Sequence, residues 1–205
     1  IMAIRTANNQ SLTEITAFPS AVALGGLVLL ETQTASSSAT LDFTDNIDST
    51  YKEYIFKFIN LHPSAANAYS LTFNGSIDTG SNYNVTKTTT VFRAYHDEGD
   101  TATAVDYRTG SDIAQGTGFQ TLGADGYLDD DADSSFSGTL HLFNPSSTTF
   151  VKHFIATTNM VVAGPQSSNN FVAGYFNDTN DIDAIQFKMS TGNIDAGTFK
   201  LYGVT

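Results

Sequence analysis

Residues 184–205, AIQFKMSTGNIDAGTFKLYGVT, decide the fold class. Ile185, Phe187 and Met189 alternate with Gln186 and Lys188, and Phe199 and Leu201 alternate with Lys200 and Tyr202. Period-two alternation puts successive side chains on opposite faces of a strand, so each segment reads as a half-buried β-strand. Gly192-Asn193 and Asp195-Ala196-Gly197 supply turn chemistry between them, and the pair is expected to form a hairpin closing the fold. Phe199 and Leu201 are expected in the core, with Lys200 and Tyr202 outward.

Working back along the chain, the same texture recurs. GLVLLETQT, ATLDFT, EYIFKFINL, YSLTFNGSI, TTTVFRAYH, SGTLHLFN, FVKHFIATT and NFVAGYFN are short, rich in β-branched and aromatic residues, and separated by Gly, Asn, Asp and Ser clusters. No long amphipathic helix lies between them, as a parallel α/β fold would require. The expectation is an all-β, antiparallel, two-sheet β-sandwich of jelly-roll type over residues 25–205. Residues 1–20 differ, being polar, and residues 1–24 are expected to form an N-terminal arm in which Pro19 would end any helical turn. Ser11 and Glu14 have capping-box spacing, so a short helical turn and a flexible arm are the two readings of it. Long polar connections are expected at 97–118 and 123–135.

One strand is apolar on both faces. In EYIFKFINL, residues 53–61, Tyr54, Phe56 and Phe58 point one way, and Ile55, Ile59 and Leu61 are expected to point the other. The second face is covered either by a loop or the arm, or by another subunit. The candidate interface residues are therefore Ile55, Ile59 and Leu61, with Ile4, Leu12, Ile15 and Phe18 of the arm.

Composition narrows the chemistry. The 205 residues include 15 Phe, 9 Tyr and no Cys or Trp, so thiolate catalysis, disulfides and Cys-ligated metals are excluded. A net charge of −12, with nine scattered basic residues, argues against binding nucleic acid or anionic lipid. The longest apolar run, AVALGGLVLL at 21–30, is too short to span a membrane and lacks a signal peptide's flanks. Ile1 precedes Met2, which suggests Met2 as the initiator, and the chain reads as made in a cytosol without an export signal of its own.

No catalytic motif emerges. GxSxG, HExxH and a phosphate-binding glycine loop are all missing from the sequence, and nothing selects a pair of carboxylates for hydrolysis. The reading is non-enzymatic, with no cofactor. Asp125, Asp129, Asp130, Asp131 and Asp133 are the nearest approach to a Ca²⁺ loop, with Asp129, Asp131 and Asp133 as candidate ligands. The cluster fails the EF-hand template, because Ser134 stands at position six and Leu140 at position twelve from Asp129; a solvated acidic loop is the competing reading. His141 is expected to point outward from its strand, and the sequons at Asn74, Asn84 and Asn177 read as chance matches.

NPSSTTFVKHFIATT at 144–158, followed by IDAIQFKMSTGNIDAGTFKLYGVT at 182–205, resembles virion structural proteins of tailed bacteriophages, especially marine and cyanobacterial ones. The shared ending has the form I(D/S)xIxFxxSxGNIxxGTxKLYG, and MAIRTANNQSLTEI at 2–15 is similar to their openings. The resemblance implies a sandwich on the particle, as head decoration, fibre, appendage or tail component, assembled in the bacterial host cytoplasm. It also implies partners: further copies of itself, a trimer among the candidate states, and other virion proteins, with docking expected through the arm. The alternative is a module that binds carbohydrate or a host receptor, with Tyr95, Tyr107 and Tyr127 as contacts beside the Asp loop and a host surface glycan as ligand. A polysaccharide depolymerase is the third and weakest candidate.

Overall fold

The computed structural model describes residues 26–65, 70–124 and 128–205. They fold as twelve strands: β1 (Leu27–Ser38), β2 (Leu41–Phe43), β3 (Glu53–Pro63), β4 (Leu71–Ser76), β5 (Lys87–Asp97), β6 (Thr103–Tyr107), β7 (Gln120–Thr121), β8 (Phe136–Phe143), β9 (Lys152–Val162), β10 (Gln166–Phe176), β11 (Ala184–Met189) and β12 (Ile194–Val204). The strands form two antiparallel sheets packed as a β-sandwich. The larger has the order β1-β12-β3-β8-β9-β10-β5-β6, and the smaller β2-β11-β4-β7. No helix among the described residues is long and apolar enough to cross a membrane.

Phenylalanine fills the space between the sheets. Phe187 on β11 meets Phe43, Phe56 and Phe58 edge to face, with centroids 5.2–6.0 Å apart, and lies tilted against Phe73 and Phe199. Edge-to-face packing suits the aromatic quadrupole, and here it locks rings from both sheets together. Ile185, Phe187 and Met189 are buried as the alternation requires, and so are Phe199 and Leu201 of β12.

The expected closing hairpin does not form. β11 pairs with β2 and β4 in the small sheet, whereas β12 pairs with β1 and β3 in the large one. The turn between them is a crossover. Gly192 takes φ +71°, and Asn193 is tied to other segments: its amide nitrogen donates to Ser64 Oγ and its side chain to the Ser37 carbonyl. Turn residues permit a reversal in either arrangement, and burial on both sides of the gap selects the crossover.

Leu61 also departs from expectation. A bulge at Ile59–Asn60, with Asn60 at φ +51°, shifts the register between Phe58 and Leu61. The extra residue returns Leu61 to the core side, where it is fully buried. Gly197 on β12, at φ +119°, lies against this bulge; a Cβ there would sit 2.7 Å from the Asn60 carbonyl oxygen.

The 97–118 connection is more structured than expected. It contains β6, and the segment that follows lies under the far half of the large sheet. There Lys87 Nζ donates to the Gly118 carbonyl at 2.6 Å, Thr158 Oγ1 to the Leu122 carbonyl at 2.6 Å, and the Ala124 amide to Asn170 Oδ1 at 2.9 Å. Thr89 Oγ1 donates to Gln120 Oε1 at 2.7 Å. These buried groups pair with a loop because the small sheet is only four strands wide.

Replacing Phe187 with Ala is expected to cost about 3–5 kcal/mol of unfolding free energy. Phe150→Ala, at a largely exposed loop position, should change it by less than about 0.5 kcal/mol. Urea denaturation of both variants checks the contrast.

Candidate functional site

Directly paired residues in a sheet share a face, so the registers define the outer face of the large sheet. One row runs Leu29, Tyr202, Ile55, His141, Ile155, Ala173, Thr90 from β1 to β5. The next begins with Thr32, Lys200 and Lys57, continues through Thr139 and Thr157, and ends with Phe171, Phe92 and Tyr107 on β6. Alternation that buries one face of an antiparallel sheet ordinarily leaves the other polar. Here it does not. Among the described residues the exposed large apolar side chains are Leu27, Leu29, Ile59, Phe92, Val105, Tyr107 and Ile155 on this face, and Val28 and Phe150 elsewhere. Ile155 is 50 % exposed and Val105 73 %. Phe92 and Phe171 stack at 4.7 Å, and small Ala173 leaves a shallow depression of about 380 Å³ bordered by Thr88, Thr90, His153, Ile155 and Tyr175.

The face is also short of acid. Its strand carboxylates are Glu53, whose Oε1 lies 2.6 Å from His141 Nδ1, and Asp195 near one end of β12, which accepts from the Ser37 hydroxyl. Lys57 and Lys200 are cross-strand partners without an ion pair, and the Lys57 ammonium lies 5.3 Å from the Tyr202 ring centroid.

The expected interface residues divide. Ile59 is 41 % exposed on the outer face; Ile55 shares that face but is 8 % exposed, flanked by Tyr202 and His141; Leu61 has moved to the core. Ile4, Leu12, Ile15 and Phe18 lie outside the described residues. The sequence reading missed Phe92, Val105 and Ile155, although Phe92 and Ile155 stand in recognisable strands. The signal was there: FVKHFIATT and TTTVFRAYH each carry large apolar residues at both parities.

The expected ligand contacts do not converge. Tyr95 lies on the opposite face from Tyr107, its ring covered by the Arg93 guanidinium at 4.5 Å. Tyr107 is exposed, and its hydroxyl donates to Asp112 Oδ2 at 2.6 Å. Tyr127 lies outside the described residues, as does Asp125. Of the expected calcium ligands, Asp129 and Asp131 come together with Asp130, their carboxylate oxygens within 4.8 Å, while Asp133 is not in the group. Asp129 is partly engaged by the Ser134 hydroxyl at 3.1 Å. Asn74 is fully buried, its amide donating to the Tyr83 and Thr117 carbonyls.

Buried ionisable groups lie elsewhere. Tyr83 is pushed up to about 12 by burial and by the carboxylates of Asp42, Asp183 and Asp78, and Asp183 Oδ1 is buried with no hydrogen-bond partner among the described residues. Lys87 and Lys152 flank Phe176 on the inner face, both fully buried. Burial lowers both amines. Lys152 donates to the carbonyls of Asp178 and Asn180, with the charges of Asp178 and Asp181 opposing the shift. Lys87 is lowered from 10.5 to about 8.

Comparison of the chain with protein-family models, curated proteins and solved structures finds no match.

The Lys87 shift fixes a pH dependence. Below about pH 8 the amine is charged both folded and unfolded, and the full burial cost applies. Between about 8 and 10.5 the folded chain gives up the proton first, so stability rises with pH. Relative to Lys87→Met, the parent chain should gain up to about 3 kcal/mol across that window. Denaturant titrations of both chains at intervals of pH read the difference.

Proposed function

We propose that this chain is a virion structural protein of a tailed bacteriophage, assembled in the host cytoplasm and working by docking rather than by catalysis. One observation carries the docking half: a wide outer sheet face that exposes Leu29, Ile59, Phe92, Val105 and Ile155 and holds few carboxylates, on a chain of net charge −12. Water-exposed apolar surface of this extent is stable in a soluble chain when another protein covers it. The phage half rests on the resemblance of residues 144–158 and 182–205 to such proteins. Head decoration, fibre or appendage, and tail are the candidate positions, and the partners are further copies and other virion proteins.

The strand order supports the jelly-roll reading. β1-β12-β3-β8 faces β2-β11-β4-β7, and the chain changes sheets at β1–β2, β2–β3, β3–β4, β4–β5, β6–β7, β7–β8, β10–β11 and β11–β12. We read these as the eight strands of a jelly roll with two inserted hairpins, β5-β6 and β9-β10, that widen one sheet. The insertions carry Phe92, Val105, Tyr107 and Ile155, so the added width and the apolar face go together.

The proposal is tested in particles of the phage that encodes the chain. Peptides of the chain should be present in purified particles at structural copy number. Val105→Asp/Ile155→Asp should keep its circular dichroism and lose incorporation by about tenfold or more. Absence of the parent chain from particles, or normal incorporation of the folded variant, would sink the reading.

A further inference from the structure

The docking face is complementary to itself. Its central row carries cations toward one edge and aromatics toward the other: Lys200 and Lys57 occupy the second and third strands, Phe171 and Phe92 the sixth and seventh. Thr139 and Thr157 stand between them on β8 and β9. The row above is graded by size, with Tyr202 and Ile55 on the second and third strands and Ala173 and Thr90 on the sixth and seventh. The small end is the depression beside Ile155.

We infer that two copies of this chain pack outer face to outer face about a two-fold axis that runs along the strands, between β8 and β9. This deepens the docking reading above and rests on it. A rotation about that axis carries the second strand over the seventh and the third over the sixth. Lys200 and Lys57 of each copy then meet the Phe92–Phe171 stack of the other, where an ammonium is attracted to the aromatic rings. Tyr202 meets Thr90, large against small, the nearly buried Ile55 lies over Ala173, and His141 meets Ile155. Thr139 meets Thr157. Two stacked sheets in this arrangement are aligned, about 10 Å apart, as within a sandwich.

Charge disfavours the alternatives. A two-fold axis across the strands would set the lysines of one copy on those of the other, because Lys57 and Lys200 share a row, and the nearby Glu53 is already engaged by His141. Pairing through another surface would bring together carboxylates of two chains that each carry −12. Packing through this face points both acidic surfaces outward.

The chain has no cysteine, so single cysteines report geometry without interference. Thr198 on β12 and Ala94 on β5 are outer-face positions on the second and seventh strands. A mixture of Thr198→Cys and Ala94→Cys chains should form a disulfide-linked pair under a mild oxidant. Thr198→Cys alone should not, since its two copies lie about five strand spacings apart, roughly 24 Å. In sedimentation velocity the parent chain should be a reversible dimer, and Lys57→Glu/Lys200→Glu should weaken it about tenfold or more. A parent chain that stays monomeric, a Thr198→Cys chain that cross-links to itself, or a charge-reversed variant that dimerises normally overturns the pairing. A monomer leaves the incorporation result untouched, because that experiment reads docking onto any virion protein.

Discussion

The two sheets meet on Phe187. From the middle of the small sheet its ring touches Phe43 and Phe73 beside it and Phe56, Phe58 and Phe199 opposite, so it holds both layers in one register. With no disulfide available, the sandwich depends on this ring packing. The rest follows from how far it reaches. The small sheet has four strands and the large one eight, so aromatic packing cannot cover the whole inner face. Under β9, β10 and β5 buried polar groups share the interior with Phe154, Phe176, Val91 and Val172, and the segment before β8 satisfies Lys87, Thr158 and Asn170 group by group. The widened sheet is stable because its inner side is bonded shut, and its outer side is then free to carry the apolar face on which the docking proposal rests.

Much of this was legible. The ten strands recognisable from alternation and turn residues are all present, and the inward and outward sides of β11 and β12 are as the sequence indicates. Failures occur where a local pattern is compatible with two global outcomes. Alternation in 184–205 specifies which side chains are buried, and burial is equally good for strands that pair with each other or face each other across the core. In EYIFKFINL, parity placed Leu61 with Ile55, and a single residue in the left-handed region at Asn60 reversed it. β6 escaped notice because TAVDY is short, carries one large aliphatic residue and sits among turn-forming residues.

The outer face of the large sheet was half legible for a related reason. Residues apolar at both parities mark a strand covered on two sides, and the sequence showed this for 53–61. It could not show that β3 lies beside β8, β9, β10 and β5 in one sheet, which is what joins Ile59, Ile155, Phe92 and Val105 into a surface. Nor could it show Lys57 opposite Lys200, a neighbourhood created by pairing between strands far apart in the chain.

Sequence by itself determined the all-β class, the strands, the faces they bury and the absence of cysteine chemistry. Those properties are local, set by side-chain volume and polarity at period two. Tertiary structure decided sheet membership, the bulge that buries Leu61, the polar lining beneath the wide sheet and the order of residues across its outer face. Each depends on which strands become neighbours, and that is settled by burying the phenylalanines of both sheets at once, a condition no single stretch of the chain contains.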